Sequence, residues 1–257
     1  MPDFLDILAK DTKKAIENGH YECDSKIESE FSLKKNIIAC EKNPIISEIK
    51  FSSPSGFISK KELNAIDVAS SMIRGGAIGI SIVTEPKHFN GSLENFKILR
   101  KNFSIPILMK DFIMNKVQIE TAFKLGANAI LLIQALFDRN YCDQSIDEMI
   151  DYAHSFKLET LLETHTEEEF KKAINTDADL IGINNRDLRN FTVELDRTYR
   201  ILKGYYDNNH IIVAESGIKS PNDIVYLRVA GARAFLIGTS IMSSTNVEKK
   251  VRELVEA

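Results

Sequence analysis

Short apolar runs alternate along this chain with longer polar segments in which hydrophobic residues recur at helical spacing. The runs are Ile45 to Lys50, Gly79 to Thr84, Ile105 to Lys110, Ala129 to Ile133, Thr160 to Glu163, Leu180 to Asn184, Ile211 to Glu215 and Ala234 to Ile237. They are apolar on both faces, as strands of a parallel sheet are when helices cover it on one side and a core fills the other. Between them, Glu62 to Arg74, Lys116 to Leu125, Glu167 to Ile174 and Pro221 to Val229 carry the helical period. Ser220-Pro221 supplies an N-cap followed by proline at the first helical position.

Four segments repeat one form: RGGAIGISIVT (74–84), KLGANAILLI (124–133), NTDADLIGINN (175–185) and VAGARAFLIG (229–238). In each, a helical pattern closes on a small pair and an apolar run follows; glycine suits the left-handed position just past a helix end. Eight such helix, turn and strand units predict an α/β fold of the (β/α)8, or TIM barrel, type. An open doubly wound sheet is the rival. It usually carries a GxGxxG turn after its first strand, and KFSSPSGF (50–57) is not one.

Residues 1–43 stand outside the repeat. Phe4, Leu5, Leu8, Ala15 and Ile16 form a sparse helical stripe behind Asp3 as N-cap, so an extra N-terminal helix is expected, either plugging one end of the barrel or covering the ligand site. No long Pro/Gly/Ser linker interrupts the chain. One barrel domain over residues 1–257, with 1–43 as a helical extension, is expected.

Composition narrows the function. With 257 residues, 44% hydrophobic and 27% charged, the chain reads as a soluble globular protein. The formal charge of −4 and the lack of a basic stripe argue against a nucleic-acid partner. No apolar stretch approaches the ~18 residues of a membrane span, and the acidic start MPDFLDILAK is unlike a signal peptide. A cytoplasmic location is expected. Cys23, Cys40 and Cys142, without CxxC spacing, read as free thiols.

In a (β/α)8 barrel the C-terminal strand ends and the loops after them build the active site. Polar residues collect at those ends: Glu48 and Lys50, Lys110, Glu163, Asn184 and Glu215. Glu48 and Lys50 are two apart, so they share a face. Opposed charges packed into one desolvated site shift pKa values and support proton transfer, although a satisfied ion cluster is the structural alternative. The turns SSPSG (52–56), ESGIKS (215–220) and IGTS (237–240) read together as an anion cradle, or singly as ordinary Ser/Gly turns. Phe89, Phe112 and Leu131 are candidate contacts to a flat apolar group, or core residues.

The motifs SEIKFSSPSG (47–56), FNGS (89–92), PILMKDF (106–112), GANAILLI (126–133), IGINNRDL (181–188), VAESGI (213–218) and FLIGTSIM (235–242) resemble, in order, those of the indole-3-glycerol phosphate synthase family. The resemblance implies cyclisation of 1-(2-carboxyphenylamino)-1-deoxyribulose 5-phosphate, with loss of CO2 and water, in tryptophan biosynthesis. It implies no cofactor and no metal. Lys110 is then the expected acid at the ketone oxygen, and Lys50 either a second acid or a phosphate contact. Glu163 and Glu48 would accept protons or hold the lysines, and Asn184 and Glu215 would orient sugar hydroxyls. Phosphate contacts map to Ser53, Gly217, Gly238 and Thr239, with Ser216 adjacent, and an anthranilate carboxylate contact to Arg186.

Phe51 and Ser52 stand where the family often has basic residues, and Thr239 where serine is common. The chain ends just after the expected last barrel helix, so no fused isomerase domain is expected, and the protein is expected to be a monomer or weak homo-oligomer. The rivals are phosphoribosylanthranilate isomerase, which needs a cysteine at a strand end, and a non-catalytic barrel binding a phosphorylated metabolite. None of the five histidines receives a role; His165, nearest the mouth, is expected in a solvated loop.

Overall fold

The computed structural model describes residues 3–52, 56, 64–189, 191–205 and 209–257. Eight strands pair in sequence order, each parallel to the next: β1 (Ile45–Ile49), β2 (Gly79–Val83), β3 (Ile107–Lys110), β4 (Ala129–Ile133), β5 (Glu159–Thr164), β6 (Leu180–Asn184), β7 (Ile212–Glu215) and β8 (Ala234–Ile237). β8 pairs back onto β1 and closes a TIM barrel. Two helices, α1 (Phe4–Glu17) and α2 (Leu33–Ala39), precede β1. Outside the barrel run α3 (Ala65–Arg74), α4 (Leu93–Asn102), α5 (Lys116–Lys124), α6 (Gln134–Asp138), α7 (Ile146–Ser155), α8 (Glu167–Ala173), α9 (Asp196–Leu202) and α10 (Pro221–Ala230). α11 (Thr239–Met242) and α12 (Val247–Val255) follow β8. Among the described residues no helix is long and apolar enough to cross a membrane.

The period of two along each strand divides the apolar side chains into two cores. Ile45, Ile49, Met109, Ile130 and Leu162 face outward into the helices. Ile46, Leu108, Leu131, Leu161 and Val213 fill the barrel interior. Local signals place the helices: Asn115 and Gln118 form a capping box at α5, and α10 ends on Gly231 at φ +114°, a conformation that costs glycine little.

The sequence predicts one extra helix before the barrel; the structure has two, one at each end. α1 turns Leu5, Leu8 and Ala9 onto the C-terminal mouth. Ion pairs staple it there, Asp11 to Lys87 at 2.7 Å and Arg139 to Asp3 and Asp6 at 2.8 and 2.7 Å. α2 instead plugs the N-terminal end with Leu33 and Ile37. It escapes notice in the sequence because seven residues are too few to display a period, and part of its cap comes from Glu159, far along the chain.

Candidate active site

Interior positions of a TIM barrel stack in layers of four drawn from alternate strands. Ile46, Leu108, Leu161 and Val213, from β1, β3, β5 and β7, are fully buried. Two residues further along the same strands stand Glu48, Lys110, Glu163 and Glu215. Three carboxylates and an ammonium thus occupy the level where another aliphatic layer would complete the core. Buried ions are tolerated only when paired, and these are. Lys110 Nζ donates to Glu163 Oε2 at 3.0 Å and to Glu215 Oε2 at 2.9 Å, while Lys50 Nζ lies 2.8 Å from Glu48 Oε1.

The electrostatics follow from that packing. Burial alone would push the Lys110 amine down, but the Glu163, Glu215 and Glu48 carboxylates outweigh it and hold the amine well above the usual lysine range. Burial would raise Glu163; Lys110 and His165 instead keep it well below the usual carboxylate range. Burial pushes Glu215 up to about 8, opposed by Lys110 and aided by the neighbouring charge of Glu163. Two carboxylates sharing one ammonium pull against each other, which drives Glu163 toward its ionised form and Glu215 toward its protonated one. Burial also raises Glu48, but Lys50 and Lys110 bring it down overall.

These groups floor a cavity of about 1270 Å³. All the other described candidates line it too: Asn184, Arg186, Phe89, Phe112, Leu131, Ser216, Gly217, Gly238 and Thr239. Ser53 lies outside the described residues. At one end the loops after β7 and β8 meet, tied by a hydrogen bond from Ser240 Oγ to the Ile218 carbonyl at 2.7 Å. Ser216 and Gly217 are both left-handed there, at φ +65° and +86°, a conformation that glycine adopts at little cost and serine seldom does. Gly238 has a different reason to be glycine, since a Cβ would stand 2.5 Å from Glu48 Oε1.

At the other end the Phe89 and Phe112 rings lie 5.9 Å apart, and Leu131 is buried below them. Arg186 donates from Nη1 to the Phe191 carbonyl at 3.2 Å, and burial holds its pKa below the ordinary guanidinium value despite the Glu48 charge. No carboxylate is within ion-pair distance of it among the described residues. Asn184 accepts the Arg186 backbone N–H at 3.0 Å. Asn185 faces away, accepting from Thr198 Oγ1 at 2.8 Å and anchoring the turn to α9. Among the described residues no group of three His, Cys, Asp or Glu is placed to hold a metal ion.

A family model for indole-3-glycerol phosphate synthase matches residues 6–254. This chain belongs to the indole-3-glycerol phosphate synthase family. The indole-3-glycerol phosphate synthase of Methanocaldococcus jannaschii is 47% identical over 218 residues, covering 83% of this chain and 78% of that one. Those of Sulfurisphaera tokodaii and Pyrococcus abyssi are 41% and 37% identical, covering 84% and 88% of this chain and 83% and 97% of theirs. Among solved structures, a thiamine phosphate pyrophosphorylase from Pyrococcus furiosus superimposes with a TM-score of 0.58 at 14% identity, covering 87% of this chain and 96% of that one. That likeness concerns the fold alone.

Several residues lining this family member's cavity escape the sequence reading. Phe4 and Leu8 of α1 form part of the wall, so the N-terminal helix covers this cavity. The Phe4 ring meets Phe191 at 4.8 Å. Leu188, Phe191, Val193 and Leu195 come from the loop after β6, where no period exists to reveal them. Lys219 and Lys250 reach the end with the Ser/Gly loops. His165 corrects an expectation: its side chain is 8% exposed, not solvated, because Glu169 folds back from α8 to meet it while Glu163 holds its other side.

Proposed function

We propose that this chain is an indole-3-glycerol phosphate synthase, a carboxy-lyase of tryptophan biosynthesis that closes the pyrrole ring of 1-(2-carboxyphenylamino)-1-deoxyribulose 5-phosphate. The observation that carries the mechanism is the Lys110 ammonium, held cationic by carboxylates from β5 and β7 at the floor of the cavity. The phosphate seats in the amides of Ser216, Gly217, Gly238 and Thr239, with Ser53 of the β1 loop, and the anthranilate ring lies among Phe89, Phe112 and Leu131. Arg186 takes the ring carboxylate, a planar anion suited to a guanidinium fork.

With both ends held, the aromatic carbon bearing the carboxylate attacks the ketone carbon, and Lys110 donates a proton to the ketone oxygen as charge develops there. CO2 leaves with its bonding electrons returned to the ring, which restores aromaticity. The new hydroxyl then departs as water, protonated by Lys50, while Glu163, with Glu48 behind Lys50, accepts the proton lost from the adjacent carbon. Asn184 and Glu215 hold the sugar hydroxyls. The oxygen gains two protons and carbon loses one. Each turnover therefore consumes one proton net, matching the loss of a carboxylate as CO2.

The three free cysteines suit a reducing compartment, so a cytoplasmic location belongs to the same proposal. Purified protein given the carboxyphenylamino-deoxyribulose phosphate should develop indole fluorescence. Folded protein that binds the compound without product across a pH series would leave a phosphorylated-metabolite binder as the function instead.

A further inference from the structure

Beside the substrate cavity lies a second one of about 430 Å³, lined by His165, Glu169, Asp187 and Arg197 among others. His165 is the partition between the two. Its Nε2 lies 3.2 Å from Glu163 Oε1, and its Nδ1 lies 3.4 Å from Glu169 Oε2. Glu163 turns its other oxygen to Lys110 at 3.0 Å. Four titratable side chains from β3, β5, the turn after it and α8 thus run in unbroken contact from the amine to the second cavity.

The reaction consumes one proton per turnover at a layer whose carboxylates Glu163 and Glu215 are almost fully buried, and a route from behind that layer would not have to pass the substrate. We propose that Glu169, His165 and Glu163 form a relay that reprotonates Lys110 from water in the second cavity. This deepens the function above and rests on Lys110 being the acid. The steps balance. Lys110 gives its proton to the ketone oxygen and is left as an amine. The His165 imidazolium passes its Nε2 proton to Glu163 Oε1, and the carboxyl, turning about its Cγ–Cδ bond, yields that proton to the amine. The imidazole turns its bare nitrogen toward Glu169 and takes a replacement from water there. Glu163 is then a carboxylate again when it takes the proton from carbon. Over the whole turnover one proton enters by this route for Lys110, one returns to Lys50 from water after the product leaves, and Glu163 gives up to water the one it took from carbon, a net uptake of one.

Two further observations support the relay. Among the described residues the buried His165 ring nitrogens face the Glu163 and Glu169 carboxylates and no other hydrogen-bond partner, so the two carboxylates are the groups with which the ring can exchange protons. The groups facing it keep it charged: burial would lower its pKa, but Glu163 on β5 and Glu169 on α8 hold it up to about 9. Arg197 on α9 donates to the His165 backbone carbonyl at 3.4 Å and lies 3.7 Å from Asp187, so its charge is directed away from the ring. The second cavity is roomy and polar enough to hold water.

The test is His165→Ala, which opens a hole beside the second cavity, with Glu169→Gln as a milder break at the outer end. Both are compared with wild-type protein for kcat, KM, solvent deuterium isotope effect and rescue by added imidazole. The expected result for His165→Ala is a fall in kcat of roughly tenfold or more with little change in KM, a larger isotope effect, and saturable recovery of rate with imidazole. Glu169→Gln should lower kcat and raise the isotope effect in the same direction. Active wild-type protein with unchanged kcat in both variants, or a loss that imidazole leaves untouched and that carries no added isotope effect, would overturn the relay alone. Inactive wild-type protein would overturn the functional reading and the relay with it.

Discussion

Glu159 and Glu163 sit four residues apart on β5, at opposite ends of the barrel. At the N-terminal end, Glu159 accepts from the backbone N–H groups of Leu33 and Lys34 at 2.8 and 3.0 Å and from the Ser32 hydroxyl, so it serves as an anionic cap for α2. Its partners are dipoles fixed in a helix start, and they do not titrate near neutral pH. At the C-terminal end, Glu163 meets the Lys110 ammonium and the His165 imidazole, both of which can give up a proton, and it borders a cavity large enough for a substrate. Under the proposed function, one residue type on one strand serves as a structural pin or a reactive group according to whether its compensating charge can move. That is the physical content of the rule that a TIM barrel keeps stability at one end and chemistry at the other.

The contrast is open to direct attack by mutation. The largest difference is expected between Glu163→Gln and Glu159→Gln. The first should lower kcat by about 10²- to 10⁴-fold, as loss of a proton-transfer group does. The second should leave kcat within about tenfold and instead cost about 1–3 kcal/mol of stability, since it weakens the answer to two helix N–H groups. Steady-state kinetics and urea unfolding on both variants separate the two effects.

A smaller change is expected at the phosphate end. Thr239→Asp puts a carboxylate where the dianion would seat and should raise KM about tenfold or more, with kcat nearly unchanged. Gly238→Asp is the poorer probe, because any side chain there collides with Glu48 and disturbs the catalytic layer as well. An unchanged KM for Thr239→Asp would remove that end of the cavity from substrate binding.

The smallest and sharpest difference is in pH dependence. Contacts with Lys110 and His165 hold Glu163 below its ordinary value against the effect of burial, so its stability contribution is full above the unfolded pKa and is lost as pH falls through the folded one. Burial raises Glu159 despite the Ser32 hydrogen bond, so its contribution is present at low pH and lost as pH rises through the folded value. From pH 7 down to about 4, the stability gap between wild type and Glu163→Gln should begin to narrow, while the gap between wild type and Glu159→Gln should widen. Urea midpoints across that range check both slopes; parallel slopes would mean that the two ends are electrostatically alike.

The two ends also differ in how legible they were. Most of the strands were readable to within a residue or two, because parallel strands buried on both faces form apolar runs and several are introduced by a glycine turn. Lys110 stood out for the same reason, as an ammonium closing the apolar run Ile105 to Met109, although the sequence left a satisfied ion cluster open as the alternative. Partnerships between distant segments were not legible. α2 depends on Glu159, more than a hundred residues later, and nothing within LKKNIIA announces a helix that plugs a barrel. His165 looked solvated because its neighbours in sequence are polar, yet two of them, Glu163 and Glu169, are what draw it inward. Lys250, on α12, is an ordinary surface lysine by sequence and becomes a pocket residue only through the fold.

Lys110→Met removes the cation that, among the described residues, both Glu163 and Glu215 contact, and leaves the loops after β7 and β8 and the wall of Phe89 and Phe112 in place. Its kcat, measured by indole fluorescence on protein shown to be folded, should fall by roughly a thousandfold or more while KM changes only a few-fold. A kcat within about tenfold of wild type, near 1.4 kcal/mol, would mean that Lys110 is not the acid.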